Sequence, residues 1–243
     1  MQKPSLLYML VLIGGICSGK STVSKYLASK GAYRIDLDAC AHEVLQGDDT
    51  CKEQLVDHFG ADILDGTGHI SRTRLAARVF SSARTSAELE RITHPAIFRL
   101  VELQMTQIAE RVVSASAPAP ASTAPVPAST TQTPALVVVE LPLPDKAPAL
   151  LTIADETMCV LASRAQRTRL ARKRSITAPE LSERMRLQPD DAAYKAYASY
   201  CIENEGSMPE LVEKVDEWLC ARVRSHAFVL ANKEGACESS ALL

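Results

Sequence analysis

Short apolar runs alternate along this chain with stretches in which apolar residues recur at helical spacing. Residues 6–13 read LLYMLVLI, and residues 135–139 read ALVVV. Runs of this length without a polar side are typical of strands buried on both faces of a parallel sheet. Shorter strands are predicted at 32–35 and 157–162, and helices fill most of the intervals between strands. The pattern therefore predicts an α/β fold built on a parallel sheet.

A glycine-rich loop, GGICSGKS, joins the first predicted strand to a helix. It satisfies the phosphate-loop pattern in the right context, after a strand and before a helix. Backbone amides and the helix N-terminus can bind phosphate, Lys20 can bridge β- and γ-phosphate oxygens, and the Ser21 hydroxyl can hold Mg²⁺. The alternative is a chance Gly-rich turn. The predicted nucleoside-triphosphate site comprises Gly14, Gly15, Ile16, Cys17, Ser18, Gly19, Lys20, Ser21 and Thr22.

Two aspartates, Asp36 and Asp38, follow the second predicted strand in the sequence IDLDACAHEVL. Open α/β sheets place their sites at the carboxyl ends of strands, and alternate positions on an extended chain point the same way. We expect one carboxylate to orient and deprotonate an acceptor hydroxyl while the other assists with Mg²⁺. The alternative for Asp38 is a helix N-cap, because it directly precedes a helical run at 39–45.

Residues 49–113 lack strand character and predict a helical, acceptor-binding insertion. Most arginines on amphipathic helices are solvated, so only one or two there are expected to contact acceptor phosphates. Residues 114–134 carry five prolines and no charged residue, which predicts a flexible loop. Glu140 follows the third strand and predicts a second-sphere Mg²⁺ or water ligand, or alternatively an exposed strand end.

A strongly basic stretch follows the fourth predicted strand. Six cations and no acid lie within eleven residues: Arg164, Arg167, Arg169, Arg172, Lys173 and Arg174. Uncompensated cations on one short helix favour a lid that clamps phosphate. A nucleic-acid surface is the competing hypothesis, weakened by the absence of interleaved aromatic residues and by the near-neutral chain. A solvated helix face is the third.

Composition narrows the function classes. With 243 residues, 47% of them apolar, and a net charge of −2, the chain has a sizeable core and no global attraction to nucleic acid or to acidic membranes. Seven scattered cysteines without a CxxC pair predict reduced thiols in a cytoplasmic, reducing compartment. The N-terminal apolar run is too short to span a bilayer. These features predict small-molecule substrates, no nucleic-acid partner and no membrane span.

The order and spacing of these motifs resemble the dephospho-CoA kinase family over residues 7–219. Beyond the phosphate loop, the matching pieces are IDLDACAHEVL, FGADILDGTGHISRTRLAARVF, LERITHPAI, VVVELPL and CIENEGSMPEL. The resemblance implies a three-layer P-loop NTPase fold with a five-stranded parallel sheet, a helical acceptor-binding insertion and lid helices. It also implies transfer of phosphate from ATP, with Mg²⁺, to the ribose 3′-hydroxyl of dephospho-CoA.

The resemblance also implies roles and limits. By this resemblance Asp38 is the base, and Arg72 and His94 line the acceptor site. The metal ligands are Ser21 and Asp36, as predicted above from the loop and the aspartate pair. Lys20, Arg169, Arg172 and Lys173 are the implied phosphate contacts, and Asn204 lies near the adenine. The predicted limits are 5–48 and 135–224 for the kinase core with its lid at 164–190, 49–113 for the CoA-binding insertion, 114–134 for the loop and 225–243 for the tail.

Two departures from the family pattern stand out. Pro144 and Asp145 replace part of the usual Pro-Leu-Leu and glutamate sequence, and Lys173 takes a lid arginine position, where it cannot make a bidentate fork to phosphate. Two other functions stay open. One is a kinase for a different alcohol or nucleotide. The other is a nucleotide-dependent switch, although the nearest guanine-recognition string, at 232–235, lacks its aspartate.

Overall fold

A five-stranded sheet forms the centre of the structure, a computed structural model that describes residues 1–79, 83–116 and 133–231. The strands have the order β2-β3-β1-β4-β5. Their bounds are β1 Leu7–Ile13, β2 Tyr33–Asp36, β3 Ala135–Glu140, β4 Glu156–Leu161 and β5 Tyr200–Glu203. The strand β1 pairs in parallel with both β3 and β4, and β4 pairs in parallel with β5. The predicted α/β fold with a parallel sheet is therefore confirmed.

Helices occupy most of the remaining described chain. They are α1 Lys20–Ser29, α2 Leu37–Gly47, α3 Asp49–Phe59, α4 Arg72–Val79, α5 Ala83–Ser116, α6 Pro148–Ile153, α7 Arg164–Arg172, α8 Ala178–Arg186, α9 Asp191–Tyr197 and α10 Met208–Arg224. Among the described residues, none of these helices is long and apolar enough to cross a bilayer. The first three residues of the predicted loop at 114–134 belong to α5, and the rest of the loop up to 132 lies outside the described residues.

The core around the sheet is aliphatic, as the apolar runs predict. Every residue of β3 and β4 is buried, because neighbouring strands and helices cover both faces of these strands. The predicted tail from 225 onward contributes to this core as far as it is described. Phe228 and Leu230 are buried, and Val229 forms a parallel bridge to Ala135.

The chain divides into two compact units. The first consists of Met1 and Asp36–Gln104, which contain α2, α3, α4 and the first part of α5. The second takes Gln2–Ile35 and the chain from Met105 onward. It contains the phosphate loop, most of the sheet and helices α6 to α10. The predicted domain limits at 48, 113 and 134 stay predictions.

Five cysteine thiols are free among the described residues, at positions 17, 40, 51, 159 and 201. Cys220 is disulfide-bonded. The prediction that all seven cysteines are reduced is therefore wrong for Cys220. The residue lies in α10, where the sequence offers no CxxC spacing from which a disulfide could have been predicted.

A buried carboxylate joins α10 to the sheet. Glu156 accepts hydrogen bonds from Tyr8 Oη at 3.0 Å, from Trp218 Nε1 at 3.0 Å and from Arg222 Nη2 at 2.7 Å. Burial raises the pKa of Glu156, but the hydrogen bonds from Arg222, Trp218 and Tyr8 more than offset it, so this pKa lies below its ordinary value. The carboxylate thus stays ionised where an unpaired buried acid would be neutral.

Replacing Glu156 with glutamine should lower the free energy of unfolding by about 1.5–3 kcal/mol, because charge-assisted hydrogen bonds become neutral ones. Urea unfolding measures this change, and Glu203→Gln, at an exposed carboxylate of β5, is the control. The depressed pKa means that the contribution is present above about pH 4.3, the ordinary carboxyl value, and is lost as the pH falls through the lower folded pKa. Equal losses in the two variants at neutral pH would contradict a special role for Glu156.

Candidate active site

The phosphate loop connects β1 to α1 in a conformation that requires glycine at its first position. Gly14 has a φ of 138°, and a Cβ added there would lie 2.2 Å from the carbonyl oxygen of Val160 in β4. The loop therefore packs directly on the neighbouring strand. It ends at Gly19, the N-cap of α1, which has no side chain to cap the helix. An uncapped helix N-terminus behind such a loop is a binding site for phosphate.

Lys20, the first residue of α1, points back over the loop. Its Nζ atom donates hydrogen bonds to the carbonyl oxygens of Gly14 at 2.5 Å and Gly15 at 2.9 Å. The ammonium group is thus held at the loop that we expect to surround the β-phosphate. Its position depends on the backbone of Gly14 and Gly15, because both contacts are to main-chain atoms.

Glu140, at the end of β3, collects four donor groups from α1 and β2. Ser21 Oγ donates to it at 2.9 Å and Arg34 Nε at 2.8 Å, and Ser24 Oγ and Arg34 Nη2 also bond to it. Its side chain is only 7% exposed, so the alternative of an exposed strand end is wrong. Burial raises the pKa of Glu140, but the hydrogen bonds from Ser24, Arg34 and Ser21 have the larger combined effect. The pKa of Glu140 therefore lies below its ordinary value.

The chemistry of this group suits Mg²⁺. A hydroxyl and an ionised carboxylate are hard oxygen donors of the kind that Mg²⁺ takes together with water and phosphate oxygens. The hydrogen bond between Ser21 and Glu140 fixes the hydroxyl beside the loop. Ser24 and Arg34 were missed by sequence reasoning. Ser24 lies one turn after Ser21, a signal that could have been used, whereas nothing in the sequence near Arg34 indicates its contact with Glu140.

Asp36 and Asp38 have different environments in the first unit. The helix α2 begins at Leu37, and Asp36 is its N-cap. Asp36 Oδ1 accepts hydrogen bonds from the amides of Asp38 at 3.0 Å and Ala39 at 3.3 Å. The N-cap alternative for Asp38 is therefore wrong, because the helix starts two residues before the helical run predicted at 39–45 and Asp36 takes the capping role. The exposed Asp38 side chain projects from the first turn of α2.

A cavity of about 270 Å³ lies between α7, α10 and the loop before α10. Its lining includes Thr22, Arg169, Lys173 and Asn204, four of the predicted nucleotide contacts. Asn204 is buried, and its Nδ2 donates to the Ser18 carbonyl oxygen at 2.8 Å, which fastens the floor of the cavity to the phosphate loop. The predicted contact Arg172 is exposed and is not among the lining residues.

The cations of α7 and of the two residues that follow it differ in their surroundings. Arg169 Nη2 donates to the carbonyl oxygen of Gly206 at 2.5 Å, and both residues line the cavity. Lys173 and Arg174 are exposed cavity residues. Arg167, in contrast, is buried among the phosphate loop and α9. One hypothesis for this stretch is a solvated helix face. It is wrong for Arg167, because this side chain is buried.

The two predicted acceptor residues lie on helices of the first unit. Arg72 is the exposed first residue of α4. His94 lies within α5, next to the internal Pro95, and its ring centroid is 5.4 Å from that of Phe98. Neither position tests whether the residue contacts the acceptor, so the acceptor roles of Arg72 and His94 stay predictions.

Comparison with known proteins identifies the family. The family model for dephospho-CoA kinase matches residues 8–119. A dephospho-CoA kinase of Corynebacterium efficiens is 33% identical over 208 residues, which cover 84% of this chain and 92% of the relative. The chain belongs to the dephospho-CoA kinase family. Members of this family are ATP-dependent kinases, so ATP is a substrate, and the predicted enzyme class is confirmed.

Solved structures agree with the fold. The crystal structure of TT1252 from Thermus thermophilus matches with a TM-score of 0.68 at 26% sequence identity. The match covers 89% of this chain and 97% of the TT1252 chain. A dephospho-CoA kinase from Campylobacter jejuni matches with a TM-score of 0.54 at 17% sequence identity. This match covers 91% of this chain and 98% of the Campylobacter chain. The likeness to the second structure shows the fold alone.

Proposed function

We propose that this member of the dephospho-CoA kinase family transfers the γ-phosphate of ATP to the ribose 3′-hydroxyl of dephospho-CoA, giving CoA and ADP. The observation that carries the proposal is the phosphate loop, with Lys20 bonded across it and a cavity beside it lined by Arg169, Lys173 and Asn204. Family membership supplies the acceptor. Phosphoryl transfer needs little covalent chemistry from the protein, so alignment and charge neutralisation are the tasks of these residues.

On the donor side, each residue has a separate task. The loop amides and Lys20 hold the β- and γ-phosphates, and Arg169 and Lys173 neutralise charge from the α7 side. Asn204 holds the cavity against the loop through Ser18. Mg²⁺, when bound, neutralises the phosphate oxygens, and Ser21 with Glu140 behind it would hold the ion. Asp36 caps α2 and is proposed only as an outer ligand of that ion.

On the acceptor side, Asp38 accepts the proton of the 3′-hydroxyl and orients its oxygen for attack. Arg72 and His94 bind the acceptor. Arg72 suits a phosphate group, because a guanidinium forms paired hydrogen bonds to phosphate oxygens.

The test is an assay that couples ADP release to the addition of dephospho-CoA. We expect ADP release to depend on dephospho-CoA and to stop when EDTA removes Mg²⁺. Adenosine, shikimate and other alcohols assayed with the same ATP stock should give far lower rates. Faster turnover with another acceptor would replace the proposed substrate by that compound, and slow hydrolysis indifferent to any acceptor would favour a nucleotide-dependent switch.

Replacing Glu140 with glutamine should lower kcat by about ten- to a hundredfold and raise the Mg²⁺ concentration needed for half-maximal rate. The amide keeps the shape of the side chain but loses the charge that holds Ser21 and Arg34. Rates measured across a Mg²⁺ titration provide the test. Glu213→Gln, at an exposed glutamate on α10, is the matched control. An unchanged Mg²⁺ dependence in Glu140→Gln would remove Glu140 from the proposed metal site.

A further inference from the structure

Arg167 is a buried arginine whose guanidinium is fixed on two sides. The residue is 4% exposed. Its Nε donates to the carbonyl oxygen of Ala162 at 2.8 Å, and its Nη2 bonds to Asp191 at the start of α9. Burying a guanidinium is costly unless its donors are satisfied, and these contacts restrict the side chain to one position.

The guanidinium lies directly against the phosphate loop. A Cβ added at Gly15 would be 2.3 Å from Arg167 Nη1 and 3.0 Å from its Cζ. Contacts this short are not found for real Cβ atoms, so glycine is required at position 15 as long as the Arg167 side chain stays in place. It cannot move aside freely, because both of its bonded nitrogens would lose their partners in a buried site.

The phosphate loop has two further contacts with the segment predicted as the lid, at 164–190. The Ile16 amide donates to Gln188 Oε1 at 2.6 Å. The Cys17 side chain packs in a small apolar cluster with Ala171 of α7 and Leu181 of α8. The first half of the loop is therefore held by this predicted lid segment at three points, one of which is Arg167.

Lys20 connects the contact between Arg167 and Gly15 to the expected donor site. The ammonium of Lys20 is bonded to the carbonyl oxygens of Gly14 and Gly15, so the backbone at Gly15 sets where that charge lies. We propose that Arg167 is a positioning residue for ATP, which fixes the backbone of Gly15 and through it Lys20. The proposal rests on the proposed function only in taking ATP as the donor. A merely structural ion pair between α7 and α9 is the alternative.

Titration of ATP into each variant by calorimetry, without acceptor, separates these two roles. Arg167→Met should raise the Kd for ATP by between about tenfold and a hundredfold, the range expected when a binding group is displaced. The KM for ATP should rise in parallel and the KM for the acceptor should not. Loss of folded protein alone would lower the measured kcat but leave both KM values and the Kd unchanged.

A double-mutant cycle tests the contact itself. Gly15→Ala should weaken ATP binding in the natural background, because the new Cβ meets the guanidinium. In the Arg167→Ala background the same change should cost little, because the space is then open. Equal costs in both backgrounds, or an unchanged Kd in Arg167→Met, would overturn the proposal.

Two further variants complete the design. Lys195→Met removes an exposed cation of α9 and should leave the Kd for ATP unchanged. Arg167→Lys keeps the charge but not the planar fork, and should show a smaller rise in Kd than Arg167→Met. If circular dichroism shows that Arg167→Ala does not fold, Arg167→Lys replaces it as the background for Gly15→Ala. Because the titration needs no acceptor, failure of dephospho-CoA as a substrate would refute the proposed function and leave this result standing.

Discussion

Replacing Asp38 with asparagine should lower kcat by about two to four orders of magnitude, the contribution typical of a positioned general base. The amide is nearly the same size and keeps the first turn of α2, since the helix is capped by Asp36 and not by Asp38. It cannot take the proton of the acceptor hydroxyl. The Kd for ATP should stay within about twofold, because the proposed donor contacts lie on other residues.

Steady-state kinetics with dephospho-CoA and calorimetry with ATP give the two quantities needed. Asp49→Asn is the matched control, because Asp49 is also an exposed carboxylate in the first turn of a helix of the first unit. Asp36→Ala should behave differently from both, losing about 1 kcal/mol of stability through the lost cap. A near-normal rate in Asp38→Asn would remove Asp38 from the role of base.

The fold was predictable where one local feature decides the structure. The run at 6–13 is short, apolar and followed by glycines, which favours a buried strand over a helix, and the glycines and lysine that follow it define the loop before α1. Boundaries were less predictable. The helix α2 starts at Leu37 because Asp36 caps it, and a cap is weaker evidence in a sequence than apolar periodicity. The helix α5 continues past its internal Pro95 to Ser116, and the next proline in the sequence is at position 118.

The long-range contacts of the candidate site were not predictable from the sequence. Arg34 and Glu140 are 106 positions apart and meet because β2 and β3 are neighbours in the sheet. Gln188 reaches the Ile16 amide across 172 positions. Arg167 occupies one position in a run of cations, and only the packing of α7 on the loop distinguishes it from its exposed neighbours. Pattern identifies residue types, whereas strand order and packing decide which of them meet.

Replacing Lys20 with alanine should impair both ATP binding and turnover. We expect kcat/KM for ATP to fall by about a thousandfold, because a preorganised charge at the transferring phosphoryl group contributes this much in comparable sites. The loss has two sources. The variant lacks the ammonium that neutralises phosphate oxygens, and it lacks the hydrogen bonds to the Gly14 and Gly15 carbonyl oxygens that hold the loop closed on itself.

Lys20→Arg separates these two sources, because it restores the charge with a longer, planar group that does not fit the same two carbonyl oxygens. If charge alone matters, Lys20→Arg should recover most of the activity lost in Lys20→Ala; if the loop contacts matter as well, it should recover little. Lys25→Ala, at an exposed lysine of the same helix, should keep full activity and the same thermal midpoint. Unchanged kcat/KM in Lys20→Ala would refute the assignment of the donor site to this loop, and with it the roles of Ser21 and Arg167.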